Sequence, residues 1–339
     1  MKIARVAING LGRIGRAFLR QAIADEEVEI VAINDLGDAE NLAYLLRYDT
    51  VYGRSGLVVT VGTKGKTLSI NGKDIQVFSE KNPAKLPWKK LNIDIAVEST
   101  GVFETYEKAK AHLSAGAKKV VMTAPSKDDT GGETILVGIN ENKMKGVSVT
   151  SNASCTTNAA SPLLAILSEN PGVEKAILNT VHAYTATQSI VDGPAHGDFR
   201  RGRAGAVNII PSSTGAAAAT TKALANLQNK FDGIAVRVPV ATGSLVDITL
   251  VSSRETSVEE INSILKEAAR SSRWRGIFAV TSEPLVSSDI IGDTHASIAD
   301  LSMTRVVGGN LVKVLAWYDN EAGYVNTLLR HVKLAALSI

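Results

Sequence analysis

The feature that most constrains the fold is a glycine pattern near the start of the chain, Gly10-Leu11-Gly12-Arg13-Ile14-Gly15. The apolar run Ile3–Asn9 before it predicts a β-strand, and Arg13–Ala24 predicts a helix directly after it. In a strand–turn–helix of this type, the first glycine permits the tight turn and the second lets a pyrophosphate approach the backbone. The third lets the helix pack closely on the sheet. The pattern therefore predicts a dinucleotide-binding unit, although a glycine-rich turn without special function is an alternative.

An acidic residue further along the chain favours the dinucleotide interpretation. Val28–Asn34 predicts a second strand, and Asp35 follows it where the carboxylate that binds the adenosine ribose is expected. This carboxylate would repel a 2′-phosphate, because two unit charges about 4 Å apart cost roughly 4 kcal/mol at an effective dielectric near 20. The segment 34–40 contains no Arg or Lys to offset the repulsion. The sequence therefore predicts NAD rather than NADP as the cofactor.

The remaining patterns predict an α/β fold with two domains. Strands at Ile93–Glu98 and Lys119–Met122, with a helix at Tyr106–Ala115 between them, continue a Rossmann-type, doubly wound parallel sheet. The stretch Val59–Val77 is punctuated by glycines and predicts hairpins. A helix at Thr156–Asn170 and longer strands with few helices between them predict a second, α+β domain with a mixed sheet. Those strands are Ala176–Val181, Gly233–Val240, Leu245–Ser252 and Asn310–Tyr318.

Composition and charge exclude several classes of protein. The 339 residues are enough for about two domains of roughly 150 residues each. The net charge of +3, from 37 basic and 34 acidic residues, is too balanced to indicate a nucleic-acid or anionic-membrane partner. A single cysteine cannot form an internal disulfide, and no signal segment or bilayer-spanning stretch is evident. We therefore expect a cytoplasmic protein without a nucleic-acid or membrane partner and without a metal.

The single cysteine, Cys155, lies where a strand-like run gives way to the helix of the second domain. An isolated cysteine is often a small buried hydrophobe. Here small polar neighbours, Ser151–Asn158, and a helix N-terminus that lowers the thiol pKa favour a reactive thiolate instead.

A nucleophilic cysteine needs a base or an ion-pair partner. Of the five histidines, His182 ends the apolar strand Ile177–Val181, and one helix and one returning strand separate it from Cys155. That separation allows the two side chains to meet, although a purely structural role for His182 is an alternative. The others lie in segments predicted as helix or surface loop, namely His112, His196, His295 and His331.

Taken in order, the motifs resemble those of the phosphorylating glyceraldehyde-3-phosphate dehydrogenases, and the resemblance extends over essentially the whole chain. In the first half it is carried by I-N-G-L-G-R-I-G-R, by N-D-L at Asp35 and by S-N-A-S-C-T-T-N around Cys155. In the second half it is carried by H-A-Y-T-A-T-Q from His182, D-G-P from Asp192, I-I-P-S-S-T-G-A-A from Ile209, R-V-P from Arg237 and W-Y-D-N-E-A-G-Y from Trp317.

The resemblance implies a covalent mechanism. The Cys155 thiolate attacks the aldehyde carbon to give a hemithioacetal, and His182 accepts its hydroxyl proton as hydride passes to the nicotinamide of NAD. Inorganic phosphate then attacks the resulting thioester. The implied reaction converts D-glyceraldehyde 3-phosphate to 1,3-bisphosphoglycerate, a step of glycolysis and gluconeogenesis.

The resemblance also implies two anion sites, formed by residue types that make charge-assisted bonds to phosphate. Thr185 and Arg237 would hold the phosphate of the substrate. From the residues alone, two alternatives stay open: Thr214-Gly215 could be a simple helix cap, and Arg237 could form a surface ion pair. The site for the attacking phosphate would comprise Ser154, Thr156, Thr214 and Gly215, with Arg201 nearby. The implied cofactor contacts are Gly10, Gly12, Arg13, Ile14, Gly15, Asp35, Lys81, Thr123 and, at the nicotinamide amide, Asn320.

On the same resemblance we expect a homotetramer in which the segment 184–208 lies at a subunit interface and contacts the neighbouring cofactor site. We expect an NAD-binding domain at residues 1–154, completed by the C-terminal helix at about 319–339, and a catalytic domain at residues 155–318. The tail Asn320–Leu337 has the amphipathic pattern of such a helix.

The sequence departs from the family pattern at a few positions. Ala159 replaces a frequent second cysteine, Leu36-Gly37 replaces the frequent Leu-Thr, and Pro194 is the residue usual in NAD-using relatives. Val240-Ala241-Thr242-Gly243 is also unusual, and we expect it to alter packing or a subunit contact. Two alternatives stay open: an erythrose-4-phosphate dehydrogenase of the same fold, and a non-catalytic binding role. The stretch Tyr184–Gln188 favours the glyceraldehyde-phosphate pattern.

Overall fold

A computed structural model describes residues 3–339 of the chain. These residues form two compact units, each with its own sheet. The first unit runs to Ala153 and resumes at Val325–Ile339, and the second unit is Ser154–Tyr324.

The first unit contains a nine-stranded sheet in the order β10-β11-β9-β8-β1-β2-β7-β6-β5. Its central strands are parallel, with β1 between β2 and β8. The strands of this sheet that follow β1 in the chain are added on one side of it as far as β7, and β8 then pairs on its other side. This reversal is a topological switch point, the place where open α/β sheets bind their ligands. The strands of this unit are β1 (Ala4–Asn9), β2 (Val28–Asn34), β3 (Tyr48–Asp49), β4 (Gly53–Arg54), β5 (Val59–Val61), β6 (Thr67–Ile70), β7 (Lys73–Phe78), β8 (Ile95–Glu98), β9 (Lys119–Met122), β10 (Glu133–Thr134) and β11 (Val149–Ser151).

The predicted Rossmann-type sheet is confirmed, and so are the hairpins. β5 pairs antiparallel with β6, and β6 with β7, while β7 joins the sheet parallel to β2. The continuous helix predicted at Tyr106–Ala115 is wrong, because the chain forms two one-turn helices that break at Lys110. The break accompanies burial of His112, whose ring is hydrogen-bonded to Glu98 and Trp88. The helices in this part of the chain are α1 (Arg13–Ala22), α2 (Ala39–Arg47), α3 (Tyr106–Ala109) and α4 (Ala111–Ser114).

The second unit contains the predicted mixed sheet, in the order β13-β14-β12-β15-β19-β17-β16 with β18 paired to β19. β12 is parallel to β14 and antiparallel to β15. The strands are β12 (Val173–Ala183), β13 (Ile210–Ser213), β14 (Phe231–Val238), β15 (Ser244–Ser252), β16 (Phe278–Thr281), β17 (Ser297–Asp300), β18 (Arg305–Val307) and β19 (Leu311–Tyr318). The helices are α5 (Cys155–Glu169), α6 (Ala216–Ala223) and α7 (Val258–Arg270).

Among the α-helices of the described residues, only α6 and α7 lie between these strands, and α7 has thirteen residues. A capping signal marks its start, because Ser257 Oγ accepts a hydrogen bond from the backbone N–H of Glu260. A last helix, α8 (Ala322–Leu337), closes the chain. Among residues 3–339, no helix has both the length and the apolar character needed to cross a bilayer.

Candidate active site

Two elements of the second unit bring Cys155 and His182 together. Cys155 is the first residue of α5, and Ser154 caps that helix by accepting a hydrogen bond from the Thr157 backbone N–H. His182 lies near the end of β12 and is buried, whereas Cys155 is half-buried. The Cys155 Sγ lies 3.3 Å from His182 Nε2. This distance suits direct proton transfer between the thiol and the ring.

The other ring nitrogen of His182 has two neighbours that need opposite protonation states. Arg237 is the register partner of His182 on β14, and its terminal Nη1 lies 2.6 Å from His182 Nδ1. The Ala183 carbonyl oxygen lies 2.7 Å from the same nitrogen. The carbonyl needs an N–H at Nδ1, but the guanidinium only donates and needs a lone pair there. The position of the Arg237 guanidinium therefore influences which ring nitrogen carries the proton.

Burial dominates the acid–base properties of this pair. Burial, and after it the positive charge of Arg237, lowers the pKa of His182 to about 3. Burial also raises the pKa of the Cys155 thiol, although Arg237 and the backbone amide of Thr156 lower it. The amide of Thr156 at the helix N-terminus lowers the thiol pKa in the direction predicted from the sequence, but desolvation of the thiol is the larger effect. Desolvation therefore favours the uncharged form of each side chain.

Tyr318 is a neighbour of the pair to which sequence reasoning assigned no role. Its hydroxyl lies 2.9 Å from Thr156 Oγ1 and 2.9 Å from Thr180 Oγ1, and its ring meets the His182 ring edge to face. Thr156, expected to contact an anion, is buried with its hydroxyl against Tyr318. Tyr318 ends β19, and an aromatic residue at a strand end was the available signal.

The other candidate anion-binding residues lie on loops and helix ends of the second unit. Arg201 donates from Nε to Ser212 Oγ over 2.9 Å and from a terminal nitrogen to the Ser213 carbonyl over 3.2 Å. It lines a cavity of about 640 Å³ together with residues 196–200 and Ser213. Thr214 Oγ1 accepts a hydrogen bond from the N–H of Ala216, the first residue of α6, over 3.2 Å. Gly215 is the N-cap residue of that helix, and Thr185 Oγ1 contacts Thr187 Oγ1.

In the first unit, each of the three glycines of the turn has a different structural reason to be glycine, and the three reasons match those of a dinucleotide-binding turn. Gly10 has a φ of +94°, which favours glycine. A Cβ at Gly12 would meet nothing within 4 Å, so this side of the backbone is open. A Cβ at Gly15 would lie 2.0 Å from the Gly10 carbonyl oxygen, so only glycine lets α1 approach the turn. This backbone cradle fits a pyrophosphate.

Asp35 is fixed beside that turn. Its Oδ2 accepts from the Leu11 N–H over 2.6 Å and its Oδ1 from the Gly37 N–H over 2.7 Å. Asp35 and Lys81 line a cavity of about 470 Å³ together with Gly10, Gly12 and Thr100.

The other residues of the first unit that were predicted to contact the cofactor lie in different surroundings. Arg13 pairs with Asp49 at 2.6 Å, so its guanidinium is held by a carboxylate and its main chain begins α1. Ile14 is half-buried on α1. Thr123 follows β9, and its N–H donates to the Glu98 carbonyl oxygen.

A row of buried polar side chains, not predicted from the sequence, lies at the carboxyl ends of β2, β1 and β8. Asn34 Nδ2 donates to Asn9 Oδ1, and Asn9 Nδ2 donates to Glu98 Oε2. The same carboxylate oxygen contacts His112 Nε2 at 2.9 Å, while Oε1 accepts from the Thr100 N–H and hydroxyl. Four donors thus stabilise one buried carboxylate and fix Thr100, which lines the cavity.

The unusual segment before β15 has a local function in the second unit. Ser244 Oγ donates to Asn320 Oδ1 over 2.9 Å and accepts from the Ala183 N–H, while Thr242 Oγ1 donates to the same Asn320 oxygen over 3.4 Å. Gly243 has a φ of +88°, and a Cβ there would lie 2.2 Å from the Ser287 carbonyl oxygen. Ser244 thus holds the carboxamide of Asn320, and within the unusual segment Val240–Gly243 only Thr242 adds a second, longer bond to it.

A doubly wound sheet with a glycine turn and a carboxylate at the end of β2, followed by a mixed-sheet unit with a cysteine–histidine pair, is typical of a dinucleotide-dependent dehydrogenase. Family models for the NAD-binding domain and the C-terminal domain of glyceraldehyde 3-phosphate dehydrogenase match residues 4–106 and 154–320. The chain therefore belongs to the glyceraldehyde-3-phosphate dehydrogenase family and is an NAD-dependent enzyme.

Similar proteins span almost the whole chain. Glyceraldehyde-3-phosphate dehydrogenase 2 of Streptomyces avermitilis is 48% identical over 328 residues, 96% of each chain. Glyceraldehyde-3-phosphate dehydrogenase 1 of Kluyveromyces lactis is 47% identical over 97% of this chain and 100% of its own. The protein of the same name from Bacillus subtilis is 47% identical over 98% of this chain and 97% of its own.

Proposed function

We propose that this enzyme oxidises D-glyceraldehyde 3-phosphate to 1,3-bisphosphoglycerate, with inorganic phosphate as co-substrate and a thioester on Cys155 as intermediate. The observation that carries the proposal is the 3.3 Å contact between Cys155 Sγ and Nε2 of the buried His182. The names of the similar proteins supply the aldehyde and the pathway.

The chain's own groups account for the covalent and proton-transfer steps. In the tautomer whose Nδ1–H donates to the Ala183 carbonyl oxygen, His182 Nε2 takes the proton of the Cys155 thiol as Sγ attacks the aldehyde carbon, and it returns that proton to the alkoxide. Nε2 then accepts the hemithioacetal hydroxyl proton as the carbon is oxidised. NAD, when bound, accepts the hydride from that carbon. Attack by phosphate on the thioester expels Cys155 sulfur and yields the acyl phosphate.

Two groups of residues are proposed to bind the phosphates. Arg237 and Thr185 bind the phosphate of the aldehyde, and this role agrees with the position of Arg237 beside His182. The attacking phosphate is proposed to bind near the α5 and α6 N-termini, where amides are oriented toward an anion. Its proposed contacts are Ser154, Thr156, Thr214, Gly215 and Arg201; for Thr156 the backbone amide is the available group, since its hydroxyl faces Tyr318.

The proposed cofactor contacts begin at the turn of the first unit, where Gly10, Gly12, Gly15 and the start of α1 meet the pyrophosphate. Asp35 binds the adenosine ribose, since its carboxylate is held in place by two amides. Asn320 orients the nicotinamide carboxamide through its NH₂ end, because its oxygen already accepts from Ser244 and Thr242. Arg13, Ile14, Lys81 and Thr123 complete the proposed set.

A homotetramer in the cytoplasm completes the proposal. The segment 184–208 and the residue after it carry large apolar side chains that are mostly exposed within one chain. Such a concentration is typical of a protein–protein interface. These side chains are Ile190, Val191, Phe199, Val207 and Ile209.

A rate assay that varies aldehyde and phosphate independently tests the proposed reaction. With NAD, we expect rapid NADH formation from glyceraldehyde 3-phosphate only when inorganic phosphate is present, with an acyl phosphate as product. Phosphate-independent turnover to the free acid would overturn the phosphorylating mechanism. A higher kcat/KM on erythrose 4-phosphate would overturn the substrate assignment.

A further inference from the structure

The ribose carboxylate lies between two cavities of the first unit. Asp35 and Leu36 line the proposed cofactor cavity and also a second cavity of about 720 Å³. This second cavity is also lined by the turn Lys64–Lys66 between β5 and β6 and by residues 76–79. A group attached to the ribose beside Asp35 can therefore extend toward two lysines.

The position of these lysines is fixed by the backbone of the turn. Lys64 and Gly65 both adopt positive φ, +59° and +66°. A Cβ at Gly65 would lie 3.2 Å from the Cβ of Ala39, the first residue of α2, so the turn packs directly against that helix. Ala39 is four residues beyond Asp35 in the chain. Lys64 and Lys66, on either side of Gly65, flank this contact. The segment 34–40, which contains no cation, could not reveal this proximity.

The second cavity is lined by two carboxylates and two lysines, but only the lysine charges are free to meet a ligand. Its carboxylates are Asp35 and Asp38, and each is already held by two backbone amides. The side chains of Lys64 and Lys66 are exposed, and within residues 3–339 neither ammonium group has a hydrogen-bond or ion-pair partner. Both ammonium groups are therefore available to a ligand.

We propose that this cavity is a phosphate subsite, in which Lys64 and Lys66 bind the 2′-phosphate of NADP and allow the enzyme to accept it as a second cofactor. The inference rests on the proposed position of the ribose at Asp35. NAD remains the preferred cofactor, because Asp35 repels the 2′-phosphate and two exposed lysines offset that repulsion only in part. Because both lysines are exposed, salt screens the interaction and weakens NADP use more than NAD use.

The first test is a binding measurement that does not depend on catalysis. Adenosine 2′,5′-bisphosphate carries the 2′-phosphate, and 5′-AMP lacks it. By calorimetry, we expect the double variant Lys64→Ala/Lys66→Ala to bind the bisphosphate roughly tenfold more weakly and 5′-AMP as before. Lys73→Ala, on the neighbouring strand β7 and outside the cavity, is the matched control and should bind both probes like the unaltered protein.

Kinetics with the intact dinucleotides complete the test. We expect measurable NADP reduction by the unaltered enzyme, a roughly tenfold rise of the NADP KM in the double variant, and an unchanged NAD KM. Equal bisphosphate binding by the unaltered protein and the double variant would overturn the subsite, and so would an absence of NADP reduction alongside normal NAD turnover. Inactivity with NAD would contradict the proposed function instead, and the calorimetry would still decide the subsite.

Discussion

At His182, the two ring nitrogens face different partners: Nε2 faces the Cys155 thiol, and Nδ1 faces Arg237 and the Ala183 carbonyl oxygen. Arg237 is positive and only donates, so its proximity disfavours the imidazolium and contributes to the low pKa of His182. The residue proposed to recognise the substrate phosphate therefore also influences the proposed base. On this proposal, substrate recognition and proton transfer are coupled through the guanidinium of Arg237.

This coupling leads to a prediction for Arg237→Gln. Loss of a charge-assisted bond to the substrate phosphate should lower kcat/KM for glyceraldehyde 3-phosphate by about 10- to 100-fold. For unphosphorylated D-glyceraldehyde, kcat/KM should change far less, because that substrate never uses the bond and His182 loses a cation that disfavours its protonation. Steady-state assays on both aldehydes provide the measurement. Equal losses on the two substrates would show that Arg237 has no specific role toward the phosphate.

The sequence could not predict the roles of residues that depend on contacts with distant parts of the chain. Cys155 and His182 were predicted because a helix start and a strand end are local patterns. Tyr318 and Ser244 were missed, since their roles arise only when β19 and β15 pair in a particular register. The same is true of Lys64 and Lys66, which a hairpin brings to the start of α2.

At the scale of elements, runs of β-branched residues predicted the buried parallel strands well. The bounds of β2 and β9 match the predictions, because a strand covered on both faces needs a continuous apolar run. The continuous helix predicted over residues 106–115 does not form. The buried contacts of His112 with Trp88 and Glu98, rather than the apolar spacing of this segment, determine the local backbone. Short strands such as β16 and β18 carry too few residues for a periodic signal.

The glycine turn before α1 gives a matched pair of variants. Gly15→Ala places a Cβ 2.0 Å from the Gly10 carbonyl oxygen, so we expect a loss of about 1–3 kcal/mol in the free energy of unfolding, or more. Gly12→Ala meets open space and should leave stability within about 0.5 kcal/mol, yet weaken NAD binding where the pyrophosphate approaches. Chemical denaturation and NAD titration of both variants check this. Similar stability of the two variants would contradict the packing role of Gly15.

The helix α8 makes the stability of the first unit depend on pH. His331 on this helix is fully buried against Thr150 and Asn152, and burial lowers its pKa to about 3. Between about pH 3 and 6.5 the unfolded chain binds a proton that the folded chain does not. The stability contributed by neutral His331 is therefore complete above about pH 6.5 and is lost as pH falls through this window.

Acidification from pH 7.5 to 5.0 should accordingly cost about 2 kcal/mol through His331. Urea unfolding at both pH values, at one protein concentration, provides the measurement. His331→Gln has no titrating ring and should lose correspondingly less stability between the two pH values. A variant as acid-sensitive as the unaltered protein would show that His331 is not the responsible group.

At the scale of the whole molecule, the exposed apolar side chains of the segment 184–208, together with Ile209 directly after it, are a feature that one chain alone does not explain. Phe199 is 83% exposed and Ile190 is 88% exposed, an unfavourable arrangement for large apolar groups in water. In a homotetramer, these side chains would be covered. The segment was assigned to an interface from a family resemblance, since periodicity carries no information about subunit contacts.

Phe199→Glu should therefore disrupt assembly, because it places a charge where an apolar contact is proposed. We expect light scattering during size-exclusion chromatography to report four chains per particle for the unaltered protein and fewer for this variant. Phe199→Leu retains an apolar side chain and should preserve the tetramer. A single-chain mass for the unaltered protein would refute the proposed assembly.

The most direct test of the central claim is detection of the covalent intermediate. The enzyme is mixed with NAD and glyceraldehyde 3-phosphate without inorganic phosphate, quenched in acid and digested for mass spectrometry. The account predicts an acyl adduct on the peptide that contains Cys155, its removal on brief addition of phosphate, and its absence from Cys155→Ser. NADH formation without an adduct on Cys155, or an adduct that phosphate does not remove, would contradict it.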